Sequence, residues 1–251
     1  MRGAARKNMG VVTMGERREK LVGVRKLIGE RMLQSSTEIP QVSGIIKIDV
    51  TDLLALSQTL RKSGAGVSMT SLIAKAMSVG LAELPSLNSR LEGEEIVYYD
   101  NINLGVAASA PQGLLVVVLK DLQNKGLFEI DKDFRELMGR VQTKKLTMDD
   151  ITGSTVTLSN LSKEKLSGFN SIINNNECIL IGIGGIAKEA AVLPDGSIGP
   201  RDTFNLMINM NHTIVDGMSA AKYLERMQYF LEHPAESLLT DEERRAYCAE
   251  V

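Results

Sequence analysis

The spacing of apolar residues changes period several times along the chain, and each change marks an element. Val24, Leu27, Ile28, Met32 and Leu33 recur near helical spacing with Arg25, Lys26, Glu30 and Arg31 between them, which predicts an amphipathic helix. After Pro40 the stretch "QVSGIIKIDVT" mixes β-branched and polar residues as a strand does, and Thr51 and Asp52 then open "LLALSQTLRK" as capping residues of a second helix. From Ser68, "SMTSLIAKAMSVGLAEL" is apolar almost all round, so this helix is expected in the core, ending before Pro85.

The middle of the chain reads as strands: "EEIVYYD", "NINLGVAAS" and "GLLVVVLK", the last too uniformly apolar to face water on either side. A helix follows over roughly Leu127 to Val141, carrying Phe128, Ile130, Phe134, Leu137 and Met138 among charges. Then "GSTVTLSNLS", "ECILIGIGGI" and "TFNLMINMN" predict three more strands before the helix "GMSAAKYLERMQYFLEHP". Several strands follow one another across loops too short for a crossover helix, so the expected fold is an α/β (α+β) two-layer sandwich with a mixed sheet. Residues 1–22 carry six basic side chains and little to bury. They read as a flexible arm or linker remnant ahead of one domain spanning 23–251.

Composition narrows the partners. The 251 residues are 43% hydrophobic and 24% charged, ordinary for a globular protein, and the net charge of −2 supplies no basic field for nucleic acid or an anionic membrane. No apolar run reaches the ~20 residues of a membrane helix. Cys178 and Cys248 match no zinc or redox spacing, so no metal site is expected and a reduced, cytoplasmic setting is the simplest reading.

One of the two histidines lies in "NHTIVDG", residues 211–217. The alternation from Phe204 to Met210 puts His212 at the end of a strand, with Gly217 opening the next helix. Such junctions often present chemistry in α/β proteins. The bland readings are a turn histidine and a helix-capping Asp216. The chemical reading is an imidazole that accepts a proton near neutral pH, with a carboxylate four residues on to fix local geometry. No nucleophile signature accompanies it, so the nucleophile should belong to the substrate. His233, before Pro234 at a helix end, reads as a capping residue only.

"NHTIVDG" resembles the H-x-x-x-D-G motif of the coenzyme A-dependent acyltransferases, which include chloramphenicol acetyltransferase and the dihydrolipoamide acyltransferase component of 2-oxo acid dehydrogenase complexes. "VRKLIGERMLQSSTEIPQ" is similar to that component's first helix, "ASAPQGLLVVVLKD" to its central hairpin, and "GSTVTLSNLS" with "GFNSIINNNECILIGIG" to the strands before the motif. The likeness runs in order from about Val24 to about Leu239.

The resemblance implies the coenzyme A-dependent acyltransferase fold, assembled into homotrimers and often into cubic or icosahedral cores, with active sites between neighbouring subunits. It implies His212 as general base toward a thiol and Ser159, in "TLSNL", as oxyanion donor from the neighbouring subunit. Asp216 would hold the active-site loop, with Arg25 as its candidate partner; Asn211 and Gly217 flank the motif as supporting positions. Asn211 and Thr213 depart from the D-H-R that commonly surrounds the histidine. The implied reaction moves an acyl group between a dihydrolipoyl thiol and coenzyme A, both substrates, with lipoyl carrier domains and dehydrogenase components as partners. The apolar "GVAASAPQG" favours acetyl over branched-chain or succinyl groups. A small-molecule O-acetyltransferase of the chloramphenicol type and a non-catalytic trimeric scaffold are the alternatives.

Overall fold

In the computed structural model, which describes residues 18–110, 113–174 and 176–248, a mixed sheet forms one layer and most of the helices the other. The strands are β1 (Gln41–Asp49), β2 (Ser89–Glu92), β3 (Glu95–Tyr98), β4 (Leu104–Ala110), β5 (Gly113–Leu119), β6 (Val156–Asn160), β7 (Ile179–Ile183), β8 (Ala187–Val192) and β9 (Ile198–Asn211). The helices are α1 (Gly23–Glu38), α2 (Thr51–Lys62), α3 (Met69–Glu83), α4 (Leu127–Thr143), α5 (Gly217–Glu232), α6 (Pro234–Leu238) and α7 (Asp241–Tyr247).

The main sheet runs β1-β9-β7-β6-β4-β5, with β8 pairing the first half of the long β9; β2 and β3 form a separate hairpin. β6 is parallel to both β4 and β7, and the other pairs are antiparallel. Alternation along the strands assigns the faces. Ile48, Leu104, Val156, Leu158, Ile181, Phe204, Leu206 and Ile208 enter the core beneath the helices. α5 approaches β1 closely at Gly44, where a Cβ would lie 3.2 Å from Ile208 Cγ2 and 3.3 Å from Leu224 Cδ1. α3 meets α5 at Gly80, where a Cβ would lie 2.9 Å from the Tyr223 ring.

The opposite face is crossed by the connection between β6 and β7. Phe169 rests on Gly182, Asn205 Nδ2 donates to Ser167 O (2.9 Å), and Ile173 is pinned by Ser35 Oγ donating to its carbonyl (2.5 Å) and by Gln41 Oε1 accepting from its N–H (3.2 Å). Ile45, in the middle of β1 on this face, stays 65% exposed.

The structure departs from the sequence reading in several places. α1 forms, but Leu27, Ile28 and Leu33 on it are exposed, because only its last turn is fastened to the body. α2 has no side-chain cap from Thr51 or Asp52; the Thr51 N–H donates to Asp49 Oδ1 (3.0 Å) instead. β5 is an edge strand with Leu114 64% exposed, so its uniform apolarity does not report two covered faces. β2, β8, α6 and α7 are additional elements. Residues 18–22 of the expected arm are exposed and outside any helix or strand; residues 1–17 lie outside the described residues.

Candidate active site

β9 delivers His212 to the surface, and the turn that carries it is fixed by its neighbours rather than by the imidazole. Asn211 is buried; its N–H donates to Cys178 O (2.8 Å) and its side-chain Oδ1 accepts from Thr213 N (3.0 Å). Asn211 O also accepts from the N–H groups of Ile214 and Val215, both at 3.0 Å, and the His212 N–H donates to Pro40 O (3.0 Å). With the backbone N–H groups from Asn211 to Val215 engaged, His212 is held on a closed turn and is exposed. An aspartate at 211 would accept the same bond from Thr213, so the departure from D-H-R leaves this turn intact.

Asp216 is the N-cap of α5. Its Oδ1 accepts from Ser219 N (2.7 Å), and this backbone bond chiefly holds the carboxyl below the usual carboxylate range, with a smaller contribution from nearby His212. Asp216 is thus placed as the cap of α5, the plain reading of its position before that helix. Arg25 is exposed in the first turn of α1 and forms no hydrogen bond or ion pair with Asp216 among the described residues. Gly217 begins α5 with open space where a Cβ would stand, so nothing within the chain demands glycine there. His233 is the C-cap of α5, stacked on Tyr229 at 4.8 Å between ring centroids, as its capping role predicts.

Ser159 sits near the end of β6. Val156 and Leu158 point into the core, so Thr157 and Ser159 face the other side of the sheet. The ladder with β4 ends at Val106–Leu158, and from there Ser159 is supported by β7, opposite Gly182. Asn160, which follows it, turns to the helix side: Nδ2 donates to Thr70 Oγ1 on α3 (3.1 Å), while Oδ1 accepts from Ser162 N (3.0 Å). Beyond Ser159 the chain is clamped by close backbone approach; a Cβ at Gly185 would fall 1.8 Å from Glu164 O, so only glycine fits.

Within one chain the histidine and the serine do not meet. Ser159 is in register with Gly182 and Gly182 with Met207, while His212 lies five residues beyond Met207. At the standard rise and strand spacing this puts their Cα atoms on the order of 20 Å apart. His212 can accept a proton and Ser159 Oγ can donate to a developing oxyanion, but one site uses both only if a second copy supplies the other half.

The structure adds Asn160, Thr70 and the Cys178 carbonyl to the residues read from sequence. Asn160 stands inside the quoted "TLSNL", so the signal was present; the other two are brought in by topology alone. Among the described residues, no group of three or more His, Cys, Asp or Glu is placed to hold a metal ion, and no helix is long and apolar enough to cross a membrane.

Residues 13–239 match the family described as 2-oxoacid dehydrogenases acyltransferase (catalytic domain). The lipoamide acyltransferase component of the branched-chain alpha-keto acid dehydrogenase complex of Bacillus subtilis is 30% identical over 223 residues, covering 87% of this chain and 53% of that protein. A probable dihydrolipoamide acetyltransferase from Listeria monocytogenes superposes with a TM-score of 0.81 at 28% identity, covering 90% of this chain and 97% of that one. A dihydrolipoamide acetyltransferase of Azotobacter vinelandii, studied for a serine, a histidine and an asparagine in its catalytic mechanism, shares the fold. Its TM-score is 0.83 at 24% identity, with 90% of this chain and 95% of that one covered. The chain spans about half the length of the curated relatives it matches.

Proposed function

The chain belongs to the family of 2-oxoacid dehydrogenase acyltransferase catalytic domains, and from that premise we propose that it transfers an acyl group between a dihydrolipoyl thiol and coenzyme A. His212 takes the proton from the attacking thiol, and the thiolate adds to the thioester carbonyl. The Ser159 hydroxyl donates to the tetrahedral oxyanion. Collapse expels the second sulfur, which recovers a proton from the imidazolium. Asp216 and Asn211 keep the histidine's turn closed through Ser219 and Thr213.

The observation that carries this reading is the separation of His212 and Ser159 on one sheet, which suits a site shared between subunits. The unit is accordingly a homotrimer, with residues 23–251 as its catalytic domain, built into a larger cubic or icosahedral core. Its lipoyl groups come from a carrier domain, separate or elsewhere in a longer chain, and dehydrogenase components load them. The unpaired state of Cys178 and Cys248 suits a cytoplasmic setting. "GVAASAPQG" favours acetyl. The test is transfer from acetyl-, isobutyryl- and succinyl-coenzyme A to dihydrolipoamide: acetyl turnover should be fastest, and no transfer from any donor would overturn the proposal.

A further inference from the structure

One buried acid is absent from this mechanism. Glu177, just before β7, is 2% exposed, and no lysine, arginine or histidine among the described residues engages it. Its Oε1 accepts from Ser154 Oγ (2.6 Å) and from Thr157 Oγ1 (2.9 Å), while its Oε2 is buried with no partner among the described residues. Thr157 Oγ1 also accepts from Asn174 Nδ2 (3.0 Å), and Glu177 N donates to Asn174 O (3.0 Å), closing a ring of three residues. From the β4 side Gly105 leaves the space that the Thr157 hydroxyl fills; a Cβ there would lie 2.8 Å from it.

Thr157 is two residues before Ser159 on the same face of β6, just where the ladder to β4 stops. Past Leu158 the strand is paired on the β7 side alone, and the Glu177–Thr157 bond is a buried side-chain anchor on that face. We propose that Glu177 and Thr157 form a positioning pair that holds Ser159 at the angle its oxyanion contact requires. The pair acts as a neutral acid and a hydroxyl, since an ionised carboxylate in this uncharged pocket would stand without a counter-ion. Neither residue touches substrate. The proposal rests on the assignment of Ser159 as oxyanion donor in a shared site.

The test combines kinetics with subunit mixing. Thr157→Val, which keeps the shape and removes the hydroxyl, should lower kcat about tenfold with KM nearly unchanged, because the donor works in the transition state. Glu177→Leu should lose at least as much, and Glu177→Gln, neutral and of similar shape, should recover most of that loss. Mixed trimers of Thr157→Val with His212→Ala should regain activity, whereas those with Ser159→Ala should not, because both defects then fall on the serine half. Wild-type kcat in Thr157→Val, or recovery with Ser159→Ala instead, overturns the proposal. A parallel mixture of His212→Ala with Ser159→Ala separates the two failures: if that control stays inactive, the shared site itself is wrong.

Discussion

Ser159 on β6 and His212, in the turn that follows β9, are separated by β7, and the register of β6, β7 and β9 keeps their Cα atoms roughly 20 Å apart. No side-chain rotation closes that distance. On the proposed mechanism a single chain carries two half-sites, each completed by a neighbour.

On the proposed mechanism, replacement of His212 should act on chemistry. His212→Ala should lower kcat by roughly 100- to 10,000-fold, the usual contribution of a general base. Stability should hardly change, because the turn is fixed by Asn211 and not by the ring. Steady-state kinetics with dihydrolipoamide and acetyl-coenzyme A, alongside thermal denaturation, checks both halves; near-normal turnover would remove His212 from the mechanism.

Ser159→Ala should lower kcat by about 100- to 1,000-fold with little change in KM, since an oxyanion donor works in the transition state. A change confined to KM would move Ser159 out of the chemistry and into substrate binding.

Tyr223 gives a stability test away from the site. Its hydroxyl is fully buried without a partner among the described residues, and leaving such a group unsatisfied costs about 1–3 kcal/mol. Tyr223→Phe keeps the ring against Gly80 and should raise stability or leave it unchanged in denaturant titration. A clear loss would reveal a partner for the phenol in the assembled protein.

Burial pushes the Glu177 carboxyl above its ordinary value, against weaker opposing bonds from Ser154 and Thr157. The folded state then binds its proton more tightly than the unfolded chain. The resulting stability is fully present below the ordinary glutamate range and is lost as pH rises toward the raised value. Glu177→Gln has no such proton, so its stability relative to wild type should increase as pH is raised through about 4.3, the midpoint of ordinary glutamate titration. Denaturation midpoints of both proteins measured across pH would show it; a constant difference would mean that Glu177 ionises normally.

Much of this was legible in the chain. Apolar periodicity placed α3, α4, α5 and most of the sheet, and the junction from Asn211 to Gly217 was readable because the alternation through Met210 stops where a capping carboxylate begins. β5 misled because apolar content records burial, and Leu114 lies on an edge that the subunit leaves uncovered. α1 was found by its spacing, yet Leu27, Ile28 and Leu33 on it are exposed. α7 carries charges over most of its length and fastens through the Thr240–Glu243 capping box and the contact of Tyr247 with Phe128, both too local or too distant for a periodic pattern to report. Ser159 was recognisable only by resemblance, and its supports from Asn160, Thr157 and Glu177 arise from strand register, which spacing does not specify.

The most direct measurement is complementation between two inactive variants. His212→Ala and Ser159→Ala chains, each inactive alone, are mixed under subunit exchange, and mixed trimers are verified by mass. With random assortment about a quarter of the interfaces pair an intact histidine with an intact serine, so activity should return to about a quarter of wild type. Verified mixed trimers that remain inactive would mean that His212 and Ser159 do not complete one site across an interface, and would contradict the account.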